Sequence, residues 1–117
     1  MNFKDNKAIY LQIADDFSDR ILEKRIKEND RLPSVREYAV SIEVNPNTVN
    51  KSYAYLLEKE IVYNKRGIGY FIKVGAYSKA LEIKKEEFLK TELPSFFKAI
   101  TLLNIDIAEI NTMYKNY

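Results

Sequence analysis

Asn47, Thr48, Asn50 and Lys51 crowd into five positions just after Pro46. These side chains offer hydrogen-bonding chemistry, not bond-breaking chemistry. Asparagine can pair bidentately with adenine, threonine can touch a thymine methyl, and lysine can reach guanine or phosphate. On helical spacing Asn47, Thr48 and Lys51 share one face, with Asn50 at its flank. Asn45 stands before them as a helix cap, and further amide donors at that helix start would attract phosphate. Arg36 lies two residues after Ser34, in the first turn of a preceding helix. Its planar fork suits a phosphate or a guanine edge. Lys65-Arg66-Gly67 places two cations on a thin backbone, as a groove-contacting tip requires. The expected nucleic-acid contacts are therefore Ser34, Arg36, Asn45, Asn47, Thr48, Asn50, Lys51, Lys65, Arg66 and Gly67.

Catalysis is a poor fit. The 117 residues contain no His and no Cys, which excludes nucleophile–base pairs and zinc sites built on those residues. Asp15, Asp16, Asp19 and Glu23 read as a solvated helix face and not as a metal site, because nothing else converges on them. No cofactor and no enzymatic activity are expected. The net charge is only +2, but it is unevenly placed. Residues 1–44 sum to −1 (8 basic, 9 acidic), 45–77 to +3 (5 and 2), and 78–117 to 0 (6 and 6). The excess sits where the candidate contacts are.

Positioning these residues takes a particular run of elements. Ile9, Ile13, Phe17 and Ile21 recur every four positions, which predicts an amphipathic helix over 8–26. Residues 27–33 read as a polar loop. Ser34-Val35-Arg36-Glu37 is a capping box that starts a helix over 35–42. Asn45-Pro46 starts another, about 46–59, which should bury Val49, Tyr53, Leu56 and Leu57 and turn Tyr55 outward. Tyr53 and Tyr63 read as core. Runs 61–64 and 70–73 around Gly67 and Gly69 predict a hairpin with a wing at 64–70. The order is helix, helix, tight turn, helix, hairpin. That is a mainly α winged helix-turn-helix with a small β-hairpin, its third helix sized for the major groove.

The pieces Ile9-Tyr10-Leu11-Gln12-Ile13, Leu32-Pro33-Ser34-Val35-Arg36-Glu37, Val44-Asn45-Pro46-Asn47-Thr48-Val49, Tyr53-x-x-Leu56 and Arg66-Gly67-Ile68-Gly69-Tyr70-Phe71 occur in order. Together, residues 8–75 resemble the DNA-binding domain of the GntR family of bacterial transcription regulators. The Asn-Pro-Asn-Thr-Val run and the short tail resemble its YtrA-like subfamily. The resemblance implies operator contacts at Arg36, Asn47, Thr48 and Asn50, a wing at Gly67, and a regulator that is most often a repressor. Two positions depart from the pattern. Asn29 and Glu60 stand where the family usually has glycine. Asparagine tolerates a left-handed backbone, whereas glutamate implies a locally different helix end.

Residues 77–117 read as a helical tail, separate from a DNA-binding domain at 1–76. Pro94 should kink or break its first helix, Asn104 should stop a helix, and Asp106-x-x-Glu109 should start another. Its apolar set is Leu81, Phe88, Leu89, Leu93, Phe96, Phe97, Ile100, Leu103, Ile107 and Ile110. So short a segment cannot bury them well alone. A homodimer on a palindromic double-stranded DNA operator is expected. An effector, if one exists, would bind at the dimer interface or between tail and winged helix. A winged helix used only for protein interaction is the alternative, and it would not need Arg36, Lys51 or Lys65. The polar start at Lys4, Asp5, Asn6 and Lys7 does not resemble a signal peptide, and no apolar run suits a membrane span. A cytoplasmic location is expected.

Overall fold

A computed structural model describes residues 7–117. The start at Lys4–Asn6 lies outside the described residues. The chain forms two compact units, one reaching to Lys84 and the other spanning Lys85–Tyr117.

The first unit contains α1 (Ile9–Leu22), α2 (Val35–Ile42), α3 (Pro46–Glu58), β1 (Val62–Lys65), β2 (Gly69–Ile72) and the first part of α4 (Ala76–Glu87). Its core joins Ile13, Phe17 and Ile21 of α1 to Val49, Tyr53 and Leu56 of α3. Ile61, Val62 and Ile72 close it from the hairpin, and Ala76 and Ala80 from α4. Phe17 is the aromatic centre, with its ring 5.0 Å from Tyr38 and 5.8 Å from Tyr53. The Tyr53 hydroxyl donates to the Pro33 carbonyl at 2.7 Å. That bond ties the middle of α3 to the residue before the α2 cap. Burial pushes the Tyr53 pKa well up, so the hydroxyl stays a donor. Tyr53→Phe should cost about 1 kcal/mol in urea unfolding, because it orphans a carbonyl and leaves packing unchanged.

Several expectations need correction. Helix α1 ends at Leu22 and not at 26, because Lys24 takes a left-handed conformation (φ 61°). Leu57 is 42% exposed, whereas Tyr55 is half-buried with its ring 6.3 Å from Tyr10. The apolar stripe of α3 therefore lies toward Tyr55 and not toward Leu57. Tyr63 is not core either. It stacks on Phe71 (5.6 Å) and donates to the Asn29 side chain.

The supposed loop at 27–33 is partly sheet. β1 and β2 pair antiparallel, Val62 opposite Ile72 and Lys65 opposite Gly69. On the free edge of β2 the Leu32 amide donates to the Tyr70 carbonyl, the Ile72 amide to Asp30, and the Asn29 amide to Ile72. Residues 29–32 thus act as a short third strand and anchor the wing to the body.

Four helix ends share one geometry. At Lys24, Glu43, Glu60 and Asn104 the chain turns left-handed, with φ between 54° and 61°. After each, the next amide reaches back five residues, as from Arg25 to Arg20 and from Ile61 to Leu56. This is the Schellman arrangement, which usually employs glycine. At Glu60 the strained backbone is accompanied by ion pairs to Lys79 (3.4 Å) and Lys73 (3.7 Å). Hydrogen bonding to Lys79 holds its carboxyl below the usual range. All three side chains are exposed, so the pairs contribute little. Glu60→Gly should therefore raise stability by about 0.5–1 kcal/mol by thermal unfolding.

In the second unit, a single π-helical turn (Phe88–Glu92) leads into α5 (Leu93–Leu102), followed by α6 (Ile107–Lys115). Pro94 does not break the helical run, but the α geometry is interrupted just before it by the π-helical turn. The proline falls in the first turn of α5, where its missing N–H is tolerated, and the wider turn before it accommodates the ring. Asn104 ends α5, and the Asp106 side chain caps α6 by accepting from the Ala108 amide at 3.1 Å. None of Leu81, Phe88, Leu89, Leu93, Phe96, Phe97, Ile100, Leu103, Ile107 and Ile110 is buried within the chain.

Candidate nucleic-acid interface

The caps decide where the helix starts point. The Ser34 hydroxyl accepts from the Glu37 amide (3.1 Å), and the Glu37 carboxylate accepts from the Ser34 amide (3.3 Å). The Ser34 hydrogen bond holds the Glu37 pKa below its usual value. This box fixes the first turn of α2 and with it Arg36, which is exposed and makes no ion pair among the described residues. The Val35 and Arg36 amides have no acceptor among those residues.

At α3 the Asn45 side chain accepts from the Asn47 amide at 2.8 Å, and the Asn45 carbonyl from Thr48 at 2.9 Å. Pro46 has no N–H. The first turn of α3 therefore has no spare amide for a phosphate, contrary to the sequence expectation. The free amides are at the start of α2, beside the Arg36 guanidinium. Ser34 and Asn45 are committed as caps through their oxygens, leaving the serine hydroxyl proton and the asparagine NH2 as donors.

Asn47, Asn50 and Lys51 are exposed on α3, and Thr48 is half-buried. Lys51 does not extend freely, because its ammonium sits 4.3 Å from the centre of the Tyr10 ring. Such a contact orients the lysine at small cost. In the wing, the Ile68 amide donates to the Lys65 carbonyl at 2.9 Å, closing a four-residue turn with Gly67 at φ 78°. That angle at the third turn position favours glycine. Lys65, Arg66 and Gly67 are exposed at this turn, with the Lys65 ammonium 5.6 Å from the Phe71 ring centre.

Sequence reasoning missed Arg31. Its guanidinium donates to the Ile68 carbonyl at 2.9 Å and lies against Gly69, where an added Cβ would be 3.3 Å from Nε. Arg31 therefore braces the wing from below. The signal was present only as the Gly-Ile-Gly spacing, which leaves room for a planar side chain beside the strand.

The acidic edge of α1 is a packing device. Lys84 of α4 pairs with Asp19 (3.3 Å) and Asp15 (3.8 Å), Arg20 pairs with Asp16 (2.6 Å), and Lys7 pairs with Asp15. No acidic cluster suited to a metal ion occurs among the described residues. No helix among them is long and apolar enough to cross a membrane.

Residues 9–72 match the family described as bacterial regulatory proteins, gntR family. The chain is 36% identical to the HTH-type transcriptional regulator YhcF of Bacillus subtilis, covering 92% of this chain and 88% of that one. It is 33% identical to the HTH-type transcriptional repressor YtrA of the same organism, over 85% and 79% of the two chains. Among solved structures, a GntR-family regulator from Bacteroides thetaiotaomicron superposes with a TM-score of 0.75 at 51% identity, covering 93% of this chain and 95% of that one. A GntR-family regulator from Listeria monocytogenes matches at the same TM-score with 32% identity, over 98% and 99% of the two chains.

Proposed function

The chain belongs to the GntR family of transcription regulators, and from that premise we propose that it is a repressor that binds a palindromic operator as a homodimer. The recognition helix is α3, which presents Asn47, Thr48, Asn50 and Lys51 to base edges in the major groove. Arg36 and the α2 amides hold the backbone phosphates, and Lys65 and Arg66 reach the adjacent groove. Residues 1–76 serve DNA binding and the segment from 77 onward serves dimerisation. The relative YtrA is itself named a repressor, which supports that sense of regulation.

One observation carries the reading. Arg36, Lys51, Lys65 and Arg66 make no ion pair among the described residues, whereas Arg20 of α1 and Lys84 of α4 are paired with Asp16, Asp15 and Asp19. The stretch that holds α3 and the wing, residues 45–77, carries a net charge of +3. The homodimer rests on the ten apolar tail positions, none of them buried in one chain. Phe88 and Phe97 are each 48% exposed.

The test is a gel shift with the DNA upstream of the protein's own gene, over a salt series. Raising salt from 50 to 200 mM should weaken binding by about 10³-fold or more, because phosphate contacts release counterions. Sedimentation at micromolar concentration should give a dimer. A salt-insensitive interaction, or a monomer, would overturn the corresponding part.

A further inference from the structure

The first unit contains a cavity of about 430 Å³ that none of the candidate DNA-binding residues lines. This volume lies within the range of small-molecule sites. Ile21, Ile26, Ile72 and Ala76 give it an apolar floor, and Tyr77 an aromatic wall. Its polar groups are few and specific. The Glu28 carboxylate is already engaged, because it accepts from the Gly75 amide at 3.2 Å. Lys24 and Lys27 line the same space and make no ion pair among the described residues. The Lys24 ammonium lies 5.9 Å from the centre of the Tyr77 ring, at the edge of cation–π range. The cavity therefore combines an apolar interior with two uncommitted cations and one acid tied to backbone.

We propose that this cavity binds a small amphipathic monoanion, with an apolar or aromatic body against the isoleucines and Tyr77 and one carboxylate between Lys24 and Lys27. Burial of the body supplies the attraction, and the cations select the acid over its neutral analogue. The site also touches the chain where α4 begins. Ile72 ends β2, Gly75 takes a left-handed turn (φ 87°) held by Glu28, and Ala76 opens the helix. A ligand here contacts the loop after α1 and the first turn of α4 together. It thereby favours whichever arrangement of that junction it binds best, as an effector must. The effector role rests on the regulator function proposed above; the binding does not, and it is measured without DNA.

The experiment is a 15N-correlation NMR titration of the whole chain with sodium 4-phenylbutyrate, set against neutral 4-phenyl-1-butanol. Saturable shifts should centre on amides 21–28 and 72–77. The Lys24→Gln, Lys27→Gln double variant should bind the acid about tenfold more weakly, near the level of the alcohol. Both lysines are exposed, so the variant's thermal midpoint should stay close to that of the parent. No saturable shift, or shifts centred on residues 93–115, would overturn the site. Equal binding of acid and alcohol would overturn the ligand class.

Discussion

Replacing Arg36 and Lys51 together by alanine is expected to weaken operator binding about a thousandfold at moderate salt. A dimer loses four contacts, each worth about 1 kcal/mol or more. Both residues are exposed, and neither forms an ion pair among the described residues, so the fold should survive. The one interaction lost is the stacking of Lys51 over Tyr10, worth about 0.5–1 kcal/mol. Circular dichroism should therefore show a nearly native melt while fluorescence anisotropy with labelled operator shows the loss. The salt dependence should fall as well, because fewer phosphates are neutralised. If both substitutions leave affinity within about twofold, α2 and α3 do not make these contacts.

The largest stability effect is expected at Phe17. Its ring sits between Tyr38 and Tyr53, and the Arg20 guanidinium lies 5.2 Å from its centre on the outer side. Phe17→Ala should cost about 3–5 kcal/mol in urea unfolding, from lost burial plus the cavity left behind. Domains of this size have about 5–15 kcal/mol in hand, so a sizeable fraction of that stability disappears. Phe17→Leu should cost less, about 1–2 kcal/mol, because it refills most of the space. Operator binding should fall in parallel with the folded fraction in Phe17→Ala, since α3 rests on α1 through this ring. An unfolding midpoint near that of the parent would mean that the three-ring cluster is not the centre of the core.

The helix starts were legible because they are local. Ser34 with Glu37, Asn45 with Pro46, and Asp106 each cap a helix within three residues, and all three caps are present. The helix ends were less so. Glycine is the usual mark of a left-handed stop, and this chain keeps its three glycines for the hairpin and the turn after it. Lys24 and Glu43 give no such signal, so a span of 8–26 overshoots α1 by four residues; Glu60, at a position the family usually gives to glycine, keeps the left-handed end and does not change it. Leu57 and Tyr55 exchanged roles because the α3 stripe is set by what α1 offers, and Tyr10 lies on the Tyr55 side. The pairing of residues 29–32 with β2 is non-local, between segments some 40 positions apart, and no pattern within 27–33 announces it.

The candidate contacts were legible as residue types, and the commitment of their atoms was not. Ser34 and Asn45 already spend an oxygen on capping, and the first turn of α3 spends its amides on Asn45. That shifts the expected phosphate anchor from α3 to the Arg36 end of α2. Under the proposed function α3 is then left to read bases.

Asn47→Ala tests that claim most directly, measured by anisotropy on the operator and on a scrambled duplex of equal length. The Asn47 side chain is exposed at the start of α3 and carries no charge. The expected result is a loss of about 30-fold or more on the operator, two contacts per dimer, with little change on the scrambled duplex, because base readout goes and phosphate attraction stays. An equal loss on both duplexes, or none on either, would contradict α3 as the reading element.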